Sequence, residues 1–269
     1  MKVAIQGQKG SFHSLVAEDW YGSSADLLEC QSFQDVFDAY EDSQVDAIIT
    51  AVENTVYGSI NEVYQLIAGS SASIVGEVKL PVQQHLIAVA DAQLSDIKEI
   101  YSHPVALAQS HNNLRRLCPQ AKLIEYSDTA AAVEYVKQLN KPGLAAVGSL
   151  AAAKLHDLPI LQADVHDNQA NLTRFLVLEK QANPVGANRS SLLIRTNHNP
   201  GALVEVLSVF SERSINLVKV QSQPIVGTPW QYNFFIVADC AGQLLADCVE
   251  TIVSSDHQVK VLGQYRAGK

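Results

Sequence analysis

The chain has 269 residues, too many for one ordinary core and enough for two or three compact units. Apolar residues make up 47% and charged residues 17%, which excludes an intrinsically disordered composition. A net charge of -9 argues against nucleic acid and anionic membrane surfaces as main partners, and no apolar run reaches the length of a bilayer span.

The first seven residues, Met1 to Gly7, go straight into a strand and a turn. They lack the long apolar segment and small-residue cleavage site of a secretory signal, so a cytoplasmic protein is expected. Lys2 to Gln6 read as a strand, and Gly7 to His13 as a glycine-rich turn into a helix. Ser32 is a good N-cap. Behind it Phe33, Val36, Phe37 and Tyr40 fall at i, i+3, i+4 and i+7, which makes one helix face apolar. Val45 to Val52 read as a buried strand ending at Glu53-Asn54-Thr55, with a helix from about Ile60.

A further unit starts near Leu80. Leu86 to Ala90 is a strand, and Ser102-His103-Pro104 opens a helix with proline in its first turn. Ala121 to Tyr126 is a strand, Ser127-Asp128-Thr129 caps the next helix, and Leu144 to Val147 is a strand before Gly148-Ser149. Leu172 to Glu179 is a strand expected to return to the first lobe. Alternating strands and helices predict α/β architecture, and two such lobes place a cleft at the carboxyl ends of strands.

Lys180 to Ser190 carry Pro, Gly and Asn without periodicity and read as a linker. The order after it is strand (Ser191 to Thr196), helix, strand, strand, helix, strand. The first helix is expected to start at Asn199-Pro200 with Leu203, Val206, Leu207 and Phe210 on its apolar face. The second carries Leu245, Cys248, Val249 and Ile252. This βαββαβ order is that of a ferredoxin-like domain. The four cysteines, Cys30, Cys118, Cys240 and Cys248, have neither Cys-x-x-Cys nor zinc-finger spacing and are expected to be buried reduced thiols.

Three segments carry candidate chemistry. The Gly7 to His13 turn lets backbone amides approach an anion, or is a plain strand-to-helix turn. It matches neither a Walker A loop nor a dinucleotide fingerprint. Glu53-Asn54-Thr55-Val56-Tyr57-Gly58-Ser59 groups a carboxyl, an amide and hydroxyls at a strand end. It reads as a polar ligand shell or as a cap with Ser59 at the N-cap and Glu53 solvated. In Asn171-Leu172-Thr173-Arg174-Phe175, strand alternation turns either Thr173 or Arg174 inward. A buried Arg174 needs an anionic partner, and an edge-strand arginine reaches water. His13, His85 and His103 are candidate acids or bases.

Taken together and in order, these segments resemble the prephenate dehydratase family. The matching stretches are Gly7-x-x-Gly10-Ser11-Phe12, Val52-Glu53-Asn54-Thr55-x-x-Gly58-Ser59-Ile60, Tyr101-Ser102-His103-Pro104-x-Ala106-Leu107-Ala108-Gln109, Ser127 to Ala132, Ala145 to Ser149, and Asn171-x-Thr173-Arg174-Phe175. Gly201-Ala202-Leu203 and Ile215-Asn216-Leu217 match a regulatory part. The resemblance covers almost the whole chain.

The resemblance implies an α/β fold: a two-lobed, periplasmic-binding-protein-like catalytic domain over 1–180, then a ferredoxin-like ACT domain over 190–269. Lobe 1 takes about 1–80 plus 160–180, and lobe 2 about 81–159. It implies a lyase that turns prephenate into phenylpyruvate, releasing water and carbon dioxide, with no metal or organic cofactor. Thr173 is the residue it ties to activity. Around it, Glu53 is a candidate acid or orienting group, with Ser11, Phe12, Asn54, Thr55, Ser59, Asn171, Arg174 and Phe175 as substrate-binding candidates. L-Phenylalanine is the implied effector, at Gly201, Ala202, Leu203, Asn216, Leu217, Gln221 and Ser222, in a homodimer or homotetramer.

One departure touches the regulatory part. Where the family shows Glu-Ser-Arg-Pro, this chain has Gln221-Ser222-Gln223-Pro224, so two charges become neutral amides. A salt bridge there is lost, and phenylalanine feedback is expected to be weakened or altered. Two other functions compete: arogenate dehydratase, acting on the amino analogue of prephenate, and a non-catalytic amino-acid sensor.

Overall fold

The computed structural model describes residues 1–181, 185–225, 227–228 and 231–268. The chain divides into two compact units: Met1–Ile60 with Lys79–Phe175, and Asn61–Val78 with Leu176–Lys269. Residues 182–184 of the expected linker lie outside the described residues.

The first unit opens with β1 (Lys2–Gln6), α1 (Phe12–Tyr21), β2 (Asp26–Cys30), α2 (Phe33–Glu41), β3 (Ala47–Asn54) and the short β4 (Gly58–Ser59). Ser32 caps α2 as expected, and Asp35 completes a capping box with it. β3 runs two residues further than the apolar pattern implies, because Glu53 and Asn54 pair with Ser59 and Gly58. Ser59 is therefore a strand residue rather than a helix cap. α3 (Asn61–Gly69) follows, and then β5 (Ser73–Pro81), where Ile74, Val78 and Leu80 alternate with Ser73, Glu77 and Lys79.

The second lobe contains β6 (His85–Ala88), β7 (Glu99–Ser102), α4 (Pro104–Gln109), α5 (His111–Leu117), β8 (Lys122–Glu125), α6 (Thr129–Leu139), β9 (Leu144–Gly148), α7 (Leu150–Leu155) and β10 (Ile160–Gln162). Asp128 caps α6 by accepting from Ala130 and Ala131. Its sheet has the order β10-β6-β9-β7-β8 over a core that includes Leu86, Ile100, Leu114, Val133 and Val147. β11 (Leu172–Glu179) then returns to the first sheet, whose order is β2-β1-β3-β11-β5 with β4 on β3. β5 and β11 each cross the boundary between the two units.

The remaining elements are β12 (Arg189–Arg195), α8 (Ala202–Glu212), β13 (Leu217–Pro224), β14 (Tyr232–Ala238), α9 (Gly242–Ser254) and β15 (Gln258–Tyr265). The antiparallel order β13-β14-β12-β15 is ferredoxin-like. Leu192, Val206, Phe210, Ile236, Leu245, Cys248 and Ile252 form its core. α8 starts later than Asn199-Pro200: Gly201 holds the N-cap at φ +86°, a left-handed conformation open to glycine. In the same unit Arg189 bonds the buried Glu77 at 2.7 Å and Asp239 at 2.7 and 2.9 Å. Cys118, Cys240 and Cys248 are buried free thiols, and Cys30 is half-buried.

Candidate active site

Asn54 ends β3, Asn171 immediately precedes β11, Thr173 is its second residue and Gln109 ends α4 of the other lobe. All four are buried. The amides of Asn54, Asn171 and Gln109 form a closed ring. Asn54 Nδ2 donates to Asn171 Oδ1 at 2.6 Å, Asn171 Nδ2 to Gln109 Oε1 at 3.0 Å, and Gln109 Nε2 back to Asn54 Oδ1 at 3.1 Å.

The direction of the ring is fixed by backbone. The Val56 and Tyr57 amides both donate to Asn54 Oδ1 at 2.9 Å, so that atom is the oxygen and Nδ2 faces the other way. Asn54 Nδ2 also donates to Thr173 Oγ1 at 2.9 Å. Thr173 is thereby an acceptor toward Asn54. Among the described residues its side chain has no other hydrogen bond, and its own proton remains free to donate.

Phe175 shares the Thr173 face by strand alternation and meets the His13 ring edge-on at 5.1 Å. His13 Nε2 accepts from the Ala51 amide at 3.2 Å, and burial pushes its pKa down to about 4. It is a neutral acceptor that joins α1 to β3. Thr55 Oγ1 donates to Ala170 O at 2.7 Å and accepts from the Leu172 amide at 2.9 Å, pinning the start of β11.

Glu53 and Arg174 lie one residue from Asn54 and Thr173, so alternation puts them on the opposite face. Arg174 is buried, and its Nη1 is 3.4 Å from Glu53 Oε1. The two pair across neighbouring strands instead of facing the Thr173 hydroxyl. Ser11 caps α1, accepting from Ser14, and Phe12 lines a separate cavity with Ser149 and His85. The lobes also meet where Ser149 Oγ donates to Gly10 O at 2.6 Å. Ser59 sits opposite Glu53 in the β4 pairing.

Sequence reasoning assigned no role to Gln109, although it closes the amide ring. Its one sequence signal is a polar residue at the end of the Tyr101 to Gln109 stretch. The regulatory candidates fall in the second unit: Gly201 to Leu203 open α8, Asn216 bonds Asp239 Oδ2 at 3.1 Å, and Leu217, Gln221 and Ser222 lie on β13. Gln223 Nε2 reaches Asn61 Oδ1 at 3.3 Å.

The family model described as prephenate dehydratase matches residues 3–183, more than half of the chain and the whole of this site. The chain belongs to the prephenate dehydratase family. A prephenate dehydratase of Lactococcus lactis is 37% identical over 88% of this chain and 86% of its own length. Among solved structures, the prephenate dehydratase of Arthrobacter aurescens in complex with L-Phe has a TM-score of 0.89 at 25% identity, covering 99% of this chain and 90% of that one. GqqA, described as a novel type of quorum quenching acylase, has the same TM-score at 28% identity, covering 100% of this chain and 98% of that one.

Proposed function

We propose that the protein is a lyase converting prephenate to phenylpyruvate with loss of water and carbon dioxide, in phenylalanine biosynthesis. The observation that carries this is the hydrogen bond that Thr173 accepts from Asn54, whose orientation the backbone dictates, which leaves the Thr173 hydroxyl its own proton to donate. As the ring carboxylate leaves as carbon dioxide, its bonding electrons expel the ring hydroxyl and aromatise the ring. The dianionic substrate yields a monoanionic 2-oxo acid, carbon dioxide and hydroxide, so charge balances. Thr173 donates a hydrogen bond to the departing oxygen and keeps its proton. Such fixed, neutral donors stabilise developing charge at no reorganisation cost. Asn54, Asn171 and Gln109 position it, and Gln109 joins the ring only when the lobes are together. Arg174 with Glu53 holds β11 in place.

Acyl transfer, the activity ascribed to GqqA, requires a nucleophile beside a base. The buried Ser102 and Ser149 hydroxyls instead donate to backbone carbonyls, and His13 is occupied by the Ala51 amide. The ferredoxin-like domain is an ACT domain that takes an amino-acid effector, a role supported by the L-Phe complex of the Arthrobacter aurescens relative. The enzyme acts in the cytoplasm as a homodimer or homotetramer.

The test is phenylpyruvate formation from prephenate, with arogenate in parallel and with and without phenylalanine. Thr173→Ala is expected to lower kcat by about 10²–10³ with little change in KM. Near-normal turnover in that variant overturns the role of Thr173. Turnover of arogenate alone, or binding of phenylalanine by a protein inert toward both substrates, overturns the substrate assignment.

A further inference from the structure

A cavity of about 310 Å³ lies in the first unit, and Asn54, Gln109, Asn171 and Thr173 are not among its lining residues. That volume is at the small end for ligand sites. Its apolar walls come from Phe12 and Leu15 on α1, Leu80 on β5 and Leu150 on α7, and its polar groups include His85 on β6 and Lys154 on α7. Both lobes of the first unit therefore contribute walls.

The two basic side chains differ in kind. His85 is buried, with 9% of its side chain exposed. The Asp164 amide donates to its Nδ1 at 3.2 Å, which puts the ring proton on Nε2. Among the described residues that N–H has no partner. The half-exposed Asp164 carboxylate lies 4.0 Å from Nδ1, on the ring edge already in use. Lys154 is exposed at the rim, and its ammonium makes no ion pair or hydrogen bond among the described residues. Ser149 also lines the cavity, but its hydroxyl is spent on Gly10 O. A largely apolar cavity is thus left with one fixed neutral donor, one mobile cation and the exposed Gln83 amide.

We propose that this cavity binds an apolar monocarboxylate, its hydrocarbon body against Phe12, Leu15, Leu80 and Leu150 and its carboxylate held by His85 Nε2–H and Lys154. A dianion as polar as prephenate suits it poorly, because the walls would strip water from a second charge without pairing it. An aromatic 2-oxo acid belongs to the favoured class, a point that alone rests on the proposed reaction. Because the walls belong to both lobes, an occupant stabilises the lobes in contact and opposes their separation.

The probe is 3-phenylpropionate, titrated calorimetrically into the full chain, which tests binding whether or not the protein turns over prephenate. Wild-type protein is expected to bind it, Lys154→Met to bind about tenfold more weakly through loss of one charge-assisted contact, and Leu15→Trp to lose binding by filling the chamber. Thr173→Ala is expected to bind as wild type. Thermal melts of each variant confirm folding. The proposal is overturned if wild type shows no saturable binding below about 10 mM, a limit near the weakest useful affinities. It is also overturned if affinity is unchanged in both Lys154→Met and Leu15→Trp, or if Thr173→Ala abolishes binding, since that places the probe at the catalytic residues.

Discussion

Asn54 donates to the Thr173 hydroxyl at 2.9 Å, and it has no freedom to do the reverse, because the Val56 and Tyr57 amides hold its oxygen. The polarity of one hydrogen bond therefore keeps the Thr173 proton from pointing at Asn54. Asn54→Asp tests this directly. A carboxylate keeps the acceptor for Val56 and Tyr57 but offers Thr173 a second acceptor, so the threonine proton turns inward. Turnover is expected to fall about 10²-fold while the protein stays folded, as for removal of a transition-state donor. Steady-state kinetics with a thermal melt checks it, and retained kcat refutes the directional argument.

Gly10 marks the second place where the lobes meet. Its φ is +91°, and a Cβ there would lie 3.0 Å from the Ala152 Cα in α7. Gly10→Ala combines backbone strain with a clash against another backbone, so a loss of about 2 kcal/mol or more is expected. Any variant that avoids the clash by parting the lobes also withdraws Gln109 from the amide ring. Stability to chemical denaturation and kcat/KM should fall together. A fall in stability with normal kcat/KM separates the two effects and contradicts the coupling.

Arg189 and Glu77 form an ion pair buried on both sides, with 10% and 0% of their side chains exposed. Arg189→Met leaves the Glu77 carboxylate without its arginine and should cost about 3–5 kcal/mol. Adding Glu77→Leu should recover much of that loss, because the buried carboxylate is removed together with its arginine. Urea titrations of the two variants measure the difference, and equal stability of single and double variants contradicts it.

His13 gives stability a pH dependence of known sign. Its folded pKa is depressed to about 4 by burial, against 6.5 when free. Between those values the unfolded chain binds the proton and the folded chain does not, so the contribution is complete above 6.5 and is lost as pH falls toward 4. The gap corresponds to about 3 kcal/mol at most. Burial lowers His85 and His103 as well, so the comparison must be with His13→Gln, which keeps an acceptor for Ala51. The acid-side slope of wild type between pH 6.5 and 4 should exceed that of the variant.

Much of this protein was legible in its sequence because the signals are local. Apolar periodicity located β1, α2, β11 and the two C-terminal helices, and side-chain caps located Ser32 and Asp128. β2 and β7 escaped, since short strands take their identity from neighbouring strands rather than from their own pattern, and β5 escaped although Ile74, Val78 and Leu80 alternate with Ser73, Glu77 and Lys79. Alternation along β11 left open which of Thr173 and Arg174 is buried. The answer is both, because a central strand is covered on its two faces. The ordered motifs, and the family they resemble, pointed to Thr173 without any coordinates. Only tertiary structure, by bringing Gln109 from one lobe to Asn54 and Asn171 of the other and setting Thr173 beside the Asn54 amide, decided that this hydroxyl accepts from Asn54 and keeps its own proton for another partner. The orientation of Asn54 is set locally, by amides two and three residues on, but the groups it then meets, Asn171, Thr173 and Gln109, are far away in the chain, and no local pattern records them.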